Sequence, residues 1–360
     1  MSPSMTVAKS QSKSYQAAIG VRGDCVYCPL SLSIDSYWNC LTDCHHCVFR
    51  RLNRTWGTDL RPADPEDVKR KLFNGVRNKE PKSSLAWALY HKKTIRLGNK
   101  TDPYQDAERE FYISRKIQQA FICLKWTYVI QTRFLSNLEL DEPFVWDANF
   151  HHLIQVMPVI SPGAEKDWEI LERQRTTPIP QRLKIIRHWI RHGIDIGVNG
   201  EPFIPGYHTP KDFQDMIRRL KGVGVKSYNT YNLHFNDYVA KRLHGIGVDI
   251  EKIWYYNQDA RWKVILKELL DIAKKEDMRL GCPDFVNTGW GWKEQANTCC
   301  GLNVPNPSRF NTHHWKRKIQ NGGNPDRILE RTWEGIGDKE QGMRIMNQKS
   351  KTFFTMDDIQ

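Results

Sequence analysis

The segment 36–49, SYWNCLTDCHHCVF, places Cys40, Cys44 and Cys47 in a C-x3-C-x2-C spacing, with His45 and His46 between the last two. Such a cluster has three readings: thiolates around a metal, a disulfide framework, or small apolar residues of a core. Each leads to a different protein, and the rest of the chain bears on the choice.

The chain has 360 residues, of which 39% are hydrophobic. That is enough for a packed core and for one large domain or two ordinary ones. No apolar run approaches the roughly 20 residues of a membrane helix. The opening MSPSMTVAKSQSKSYQ is rich in Ser and Lys and has no apolar signal-peptide centre. Residues 1–20 are therefore expected to be a flexible tail, and the protein is expected in the cytoplasm, where thiols stay reduced. The nine cysteines are odd in number and clustered, which in that compartment points to metal binding over pairing. Lys and Arg number 54 against 41 Asp and Glu, for a net charge of +13, and 13 Trp and 13 Tyr accompany them. A basic surface interleaved with aromatics suits a polyanion whose bases stack on rings. The alternative is a merely basic protein with solvated charges.

Outward from the cysteines, strand and helix patterns alternate. VRGDCVYCPLSLSIDSYWNC is extended, DPEDVKRKLFNGVRN helical with acidic residues in its first turn, and KTIRLGNKTDPYQ a strand entering a turn. AEREFYISRKIQQAFI is helical, WTYVIQTRF and HLIQVMPVI are strands, and IPQRLKIIRHWIRHG is an amphipathic helix closed by Gly193. IDIGVNGEPFIP, TPKDFQDMIRRLKGVG and SYNTYNLHF continue as strand, helix, strand. About six alternations imply an α/β fold with a parallel sheet, as a complete or partial barrel or a doubly wound sheet. Chemistry in such folds gathers where strands end, here at 99–102, 133–137, Ser161, 201–207 and 232–234. Beyond residue 237 the pattern loosens. A helix and short strand over DARWKVILKELLDIAKKEDMRLGCPDF precede VNTGWGWKEQANTCCGLNVPNPSRFNTHHWKRK, rich in Gly, Asn, Trp, Cys and His and long for a structureless connection.

The C-x3-C-x2-C loop after the first strand of an alternating strand–helix chain resembles the radical S-adenosylmethionine (SAM) superfamily. In that family the three cysteines hold a 4Fe–4S cluster whose open iron chelates the amino and carboxylate groups of SAM. Reduction cleaves SAM to a 5′-deoxyadenosyl radical, which abstracts a hydrogen atom. A structural zinc site with a ligand from elsewhere is the alternative, although zinc favours paired C-x2-C elements. The residue before the third cysteine is usually aromatic in the family and packs on the adenine; here it is His46. RLGNKTDPYQDAERE resembles the second-strand segment of the branch that includes spore photoproduct lyase, which directs Gly98, Asn99, Thr101 and Asp102 to the SAM amino group. GVNGEPFIPGYHT resembles the fifth-strand region, with Ile204 and Gly206 beside the adenine. Arg133 is placed to meet the SAM carboxylate, or else forms a surface salt bridge.

The resemblance covers roughly residues 36 to 235. It implies a radical SAM partial (β/α)6 barrel over 21–235, a Cys/Trp/His-rich extension with a possible second metal site over 236–325, and a charged peripheral tail over 326–360. Cys25 and Cys28 form a C-x2-C pair, Cys299 and Cys300 are adjacent, and Cys282 ends a late strand. These could hold a second cluster or a zinc ion, or be unliganded. Cys123, in AFICLKW, is expected in the core.

The characterised relatives by motif act on thymine in DNA, either repairing a thymine dimer or, in bacteriophage thymidine hypermodification, rearranging an amino acid attached to the thymine methyl. The lyase takes a cysteine hydrogen donor some forty residues after its cluster, and EPKSSLAWALYHKK has none here. An isomerase needs no separate donor. The leading expectation is a DNA-modifying isomerase acting on an amino-acid-substituted thymidine such as glycinyl-thymidine. A photoproduct-lyase-like repair enzyme and a zinc-stabilised, non-catalytic DNA-binding protein are the alternatives. The expected partners are DNA and an external electron donor such as flavodoxin or ferredoxin, with no membrane. If the chain is phage-encoded, its compartment is the host cytoplasm.

Overall fold

The structure, a computed structural model, describes residues 18–21, 30–49, 59–81, 83–282, 302 and 304–306. Its sheet begins with β1 (Ile19–Val21), antiparallel to β2 (Leu32–Ile34), and continues in parallel through β5 (Ile95–Leu97), β6 (Tyr128–Thr132) and β7 (Ile154–Pro158). Bridges from Val156 to Ile196 and from Val159 to Asn199 carry it on to β8 (Val198–Asn199). From there β9 (Ser227–Asn229) and β10 (Arg279–Gly281) follow, again parallel. A small antiparallel pair, β3 (Tyr37–Trp38) and β4 (Arg61–Pro62), sits between β2 and the first helix. The parallel strands thus lie side by side in sequence order, as successive right-handed strand–helix–strand units require.

The connecting helices are α1 (Pro65–Arg77), α2 (Ser84–Tyr90), α3 (Glu108–Phe111), α4 (Ile113–Cys123), α5 (Leu135–Glu139), α6 (Glu142–Phe150), α7 (Ala164–Ile170) and α8 (Ile179–Arg191), then α9 (Pro210–Gly222), α10 (Asp237–His244), α11 (Ile250–Tyr256) and α12 (Asp259–Lys275). Their starts follow from capping chemistry. The Asp64 side chain accepts from Glu66 N ahead of α1, and Thr209 with Asp212 forms a capping box ahead of α9. Gly193, at φ +80°, lets the chain leave α8 as its sequence predicts. The helix expected over AEREFYISRKIQQAFI is broken: Tyr112 takes a left-handed conformation between α3 and α4. Cys123, expected in the core, is exposed at the end of α4, because the buried face of that helix is made by Ile113, Ile117 and Phe121. The stretch after 237 holds α10 and α11, and β10 pairs with β9, so the expected boundary at 235/236 does not interrupt the sheet.

The two faces of the sheet differ. Leu32, Ile34, Ile95, Leu97, Ile130, Ile154, Val156, Val198, Tyr228 and Leu280 belong to the main core with the helices. By strand alternation the opposite face carries Ser33, Arg96, Gly98, Gln131, Gln155, Asn199, Ser227 and Asn229. Part of this second face is covered by an apolar plug of Leu30, Val129, Met157, Leu302 and Val304. Asn306 fastens that plug: its carbonyl accepts from Thr94 N at 3.0 Å and its amide donates to His91 O and Lys92 O. Toward the C-terminal ends the face stays polar, unlike a barrel interior filled by branched apolar side chains. No helix among the described residues is long and apolar enough to cross a membrane.

Candidate active site

The cysteine loop lies at the C-terminal ends of β2 and β5 and is held from several sides. Leu41 N donates to Gln105 Oε1 at 2.8 Å, and Gln105 Nε2 donates to Asn39 O at 3.1 Å. Asp43, in the left-handed region at φ 54°, accepts from Arg173 Nη1 at 2.7 Å and Arg242 Nη1 at 2.9 Å. His45 N donates to Leu171 O, and Cys47 N to Cys44 O. The turn after β5 is fixed in the same way. Asp35 Oδ1 accepts from Asn99 N at 2.9 Å and Lys100 N at 2.8 Å, while Thr101 Oγ1 donates to Tyr37 O. Gly98 stands at φ +88°, where an added Cβ would lie 2.5 Å from Pro103 Cδ and 2.7 Å from Gln131 O. Asp102 accepts from Thr132 Oγ1 at 2.6 Å and Arg133 N at 2.7 Å, which joins this turn to the end of β6.

The three thiols form one group. Burial pushes the Cys44 thiol well up, Arg133 pulls it down, and Cys47 and Cys40 both act on it. Burial and then the Asp102 carboxylate raise Cys40, whose sulfur hydrogen-bonds with the Thr42 hydroxyl at 3.2 Å. Thiolates in so dry a place need a neighbouring cation, which a bound metal centre supplies. Among the described residues no three His, Cys, Asp or Glu side chains converge on one ion. Three thiolates are the protein donor set of a four-iron cluster with one iron left open, and Cys40, Cys44 and Cys47 supply three on one loop.

Around the thiols the structure collects most of the residues expected from sequence. His46 is buried, and burial followed by Arg133 pushes its imidazole down to about 3, so the ring is neutral at ordinary pH. Arg133 Nη2 lies 3.4 Å from His46 Nε2 and donates to Glu201 O at 3.3 Å. Its partner is Glu172, at 3.0 Å, and the two side chains are 19% and 1% exposed. The alternative of a surface salt bridge for Arg133 is thus corrected to a buried one. Glu172 also pairs with the fully buried Arg182, which donates to Thr177 O and Val159 O.

Ile204 packs in a small second core with Leu171, Val239 and Ile253, against which Val48 of the cysteine loop also lies. Ile204 N donates to His208 Nδ1, and His208 Nε2 reaches Asp167 Oδ2 at 2.9 Å. Gly206, at φ +85°, backs onto the Lys252 backbone and borders a surface pocket of about 330 Å3 with Lys166, Tyr207 and Lys252. Cys282 is buried in the main core at the end of β10. Cys25, Cys28, Cys299 and Cys300 lie outside the described residues, as do the tryptophans of NTGWGWKEQ. Sequence reading missed Glu172, Arg182 and the polar strand residues Arg96, Gln131 and Asn229. The last three alternate with core residues within single strands, and that alternation is the signal that could have found them.

The fold and site define an α/β protein with a sequential parallel sheet and a three-cysteine loop at its C-terminal edge. Spore photoproduct lyase shares that fold. A tyrosine-to-phenylalanine variant of the lyase aligns with a TM-score of 0.53 and 11% identity, covering 74% of this chain and 80% of that one. A cysteine-to-alanine variant aligns with a TM-score of 0.51 and 12% identity, covering 70% and 76%. At such identities the likeness is one of fold. No protein-family model matches this chain, and no curated protein sequence does.

Proposed function

We propose that this chain is a radical SAM enzyme that abstracts hydrogen from a thymine-derived base in DNA. The observation that carries the reading is the group of three thiols, Cys40, Cys44 and Cys47, on a clamped loop at the strand ends of a fold shared with spore photoproduct lyase. The sequential strand order supports a partial (β/α)6 barrel. A 4Fe–4S cluster held by these cysteines, with SAM on its open iron, would supply a 5′-deoxyadenosyl radical after one-electron reduction by an external donor such as flavodoxin or ferredoxin. The chain's own residues position and shield. Gly98, Asn99, Thr101 and Asp102 form a turn fixed by Asp35, suited to the amino end of SAM. Arg133, held by Glu172, presents a guanidinium to its carboxylate. His46 offers a neutral ring to the adenine, with Ile204 and Gly206 on the neighbouring segment. The net charge of +13 attracts DNA, and a base would leave the duplex to reach so recessed a site.

Two reactions fit this site. The shared fold supports a lyase-like cleavage of a thymine dimer. The stretch EPKSSLAWALYHKK supports a rearrangement of an amino-acid-substituted thymidine, as in phage hypermodification. It lacks a cysteine, and its Trp87, Ala88 and Leu89 are buried in the helical core. Anaerobic turnover of both substrates with reconstituted protein, SAM and reductant separates them. Rearrangement gives a product of unchanged mass and passes deuterium from the substrate carbon into 5′-deoxyadenosine or SAM. Cleavage of an irradiated dimer to thymines selects the lyase reaction, and no turnover of either removes the thymine assignment. A second metal on Cys25, Cys28, Cys282, Cys299 and Cys300 is a separate proposal, met by iron or zinc retained after Cys40, Cys44 and Cys47 are replaced.

A further inference from the structure

The last turn of α8, in RHWIRHG, carries His188, and His192 caps the helix four residues later. That spacing puts both rings on one helix face, one turn apart. Both residues are exposed, while α8 turns Ile185, Ile186 and Trp189 into the core. The ring centroids are 4.5 Å apart. Trp146, on α6, stands beside both rings, with its centroid 5.9 Å from that of His188 and 5.1 Å from that of His192. The pair therefore lies on the outer surface of the helix layer, and none of its residues belongs to the cysteine loop or to the strand ends.

Each ring has one nitrogen already committed as a donor. His192 Nδ1 lies 2.8 Å from His188 O, and a carbonyl oxygen only accepts, so Nδ1 carries the proton. His188 Nε2 donates to the Glu142 carboxylate, 3.1 Å away at Oε1. Trp189 Nε1 donates to the same oxygen at 3.0 Å, which fixes Glu142 in place. A neutral imidazole with one N–H committed presents its other nitrogen as a lone pair. His188 Nδ1 and His192 Nε2 are those nitrogens here. Metal-ligating histidines are oriented in this way, by a carboxylate or a backbone carbonyl that takes the second ring N–H. Histidines four apart on a helix reach one ion, and bonds from imidazole to such an ion are about 2.0–2.1 Å long. Glu142 and the carbonyl end of α8 favour a cation at this point, against the adjacent charges of Arg187 and Arg191.

We propose that His188 and His192 chelate a divalent transition-metal ion of the kind that favours imidazole, Cu2+, Ni2+ or Zn2+. Glu142 and the His188 carbonyl act as the outer partners that orient the rings, and water fills the remaining positions on the ion. Two imidazoles make a two-donor chelate, so the site needs no third protein ligand, and no group of three converges on one ion among the described residues. Through Glu142 the ion joins the end of α8 to the start of α6. The site stands apart from the cysteine loop and does not depend on the radical SAM reading.

The test is a footprint of the full-length protein with diethyl pyrocarbonate, which modifies accessible imidazoles, mapped by peptide mass spectrometry with Ni2+ as the probe. This readout sees histidines directly, so Ni2+ held by thiols elsewhere does not enter it. At ten times its dissociation constant, Ni2+ is expected to slow modification of His188 and His192 together by about tenfold. His151 and His152, exposed at the end of α6, are expected to react as before. Mg2+, which prefers oxygen ligands, is expected to protect neither ring. In His188→Asn the protection of His192 is expected to disappear, and in His192→Asn that of His188, because one ring alone does not chelate. Circular dichroism checks that the variants fold, and the wild-type footprint stands even if one does not. Equal reactivity of the pair with and without Ni2+ overturns the proposal. So does protection shared equally with His151 and His152, protection by Mg2+, or protection of either ring that survives loss of the other.

Discussion

Arg133 and Glu172 form a buried ion pair, Nε to Oε1 at 3.0 Å, directly behind the cysteine loop. Glu172 is shared with Arg182, and Arg133 goes on to touch His46 and the Glu201 carbonyl. A single carboxylate thus balances two guanidinium groups and aims one of them at the thiols.

Glu172→Ala leaves Arg133 and Arg182 without their shared anion. The expected loss is about 3–5 kcal/mol, the range for breaking a buried pair from one side. Urea unfolding of the purified protein reads it. A loss within experimental scatter would show that the pair does not organise the region.

Gly98→Ala tests the turn after β5. Both the φ of +88° and the close approach of Pro103 and Gln131 oppose a side chain there. A destabilisation of at least about 1–3 kcal/mol is expected, together with weaker SAM binding, because Asn99 to Asp102 shift with the turn. Thermal denaturation and SAM titration of the same preparation check the two effects, and a neutral substitution would contradict the close packing described.

Acid stability depends in part on Asp167. Burial alone would raise its carboxyl, but the His208 ring and the Ser161 hydroxyl hold it below its ordinary value. A depressed folded pKa means that the folded state releases this proton more readily than the unfolded chain. The stabilisation is therefore full above about pH 3.9 and is lost as the pH falls through the lower folded value. Urea midpoints measured from pH 6 downward should fall in acid, and Asp167→Asn should flatten that fall. An unchanged slope in the variant would assign the acid sensitivity to other groups.

DNA binding should weaken steeply with salt, since a protein of net charge +13 displaces counterions from several phosphates. Electrophoretic or anisotropy titrations across a salt series give the slope. A flat dependence, or no binding at low salt, would move the substrate to a free nucleotide.

Much of the fold was legible because its elements carry strong periods. α1, α8 and α9 show an apolar stripe with caps or flanking glycines, α12 shows the stripe alone, and β6 and β7 are rich in apolar and β-branched residues. The cysteine loop stands out in the sequence by its C-x3-C-x2-C spacing. Other features depend on tertiary partners. Tyr112 breaks the α3–α4 helix through a backbone conformation that its side chain does not announce. Cys123 sits in an apolar run, yet its position on α4 turns it to solvent. Glu172 looks like an ordinary surface acid until Arg133 and Arg182 close on it from sites distant in sequence. Arg96, Gln131 and Asn229 lie in strands of three to five residues, where alternation with core residues is the one signal the sequence carries for them.

The most direct test of the account is SAM cleavage by anaerobically reconstituted protein and by the single variants Cys40→Ala, Cys44→Ala and Cys47→Ala, with 5′-deoxyadenosine as the readout and circular dichroism as the check on folding. The account predicts reductive cleavage by wild type and its loss in each folded variant, because an open iron requires all three thiolates. Cleavage retained in any one of them, or a wild type that takes up no iron and forms no 5′-deoxyadenosine, would contradict it.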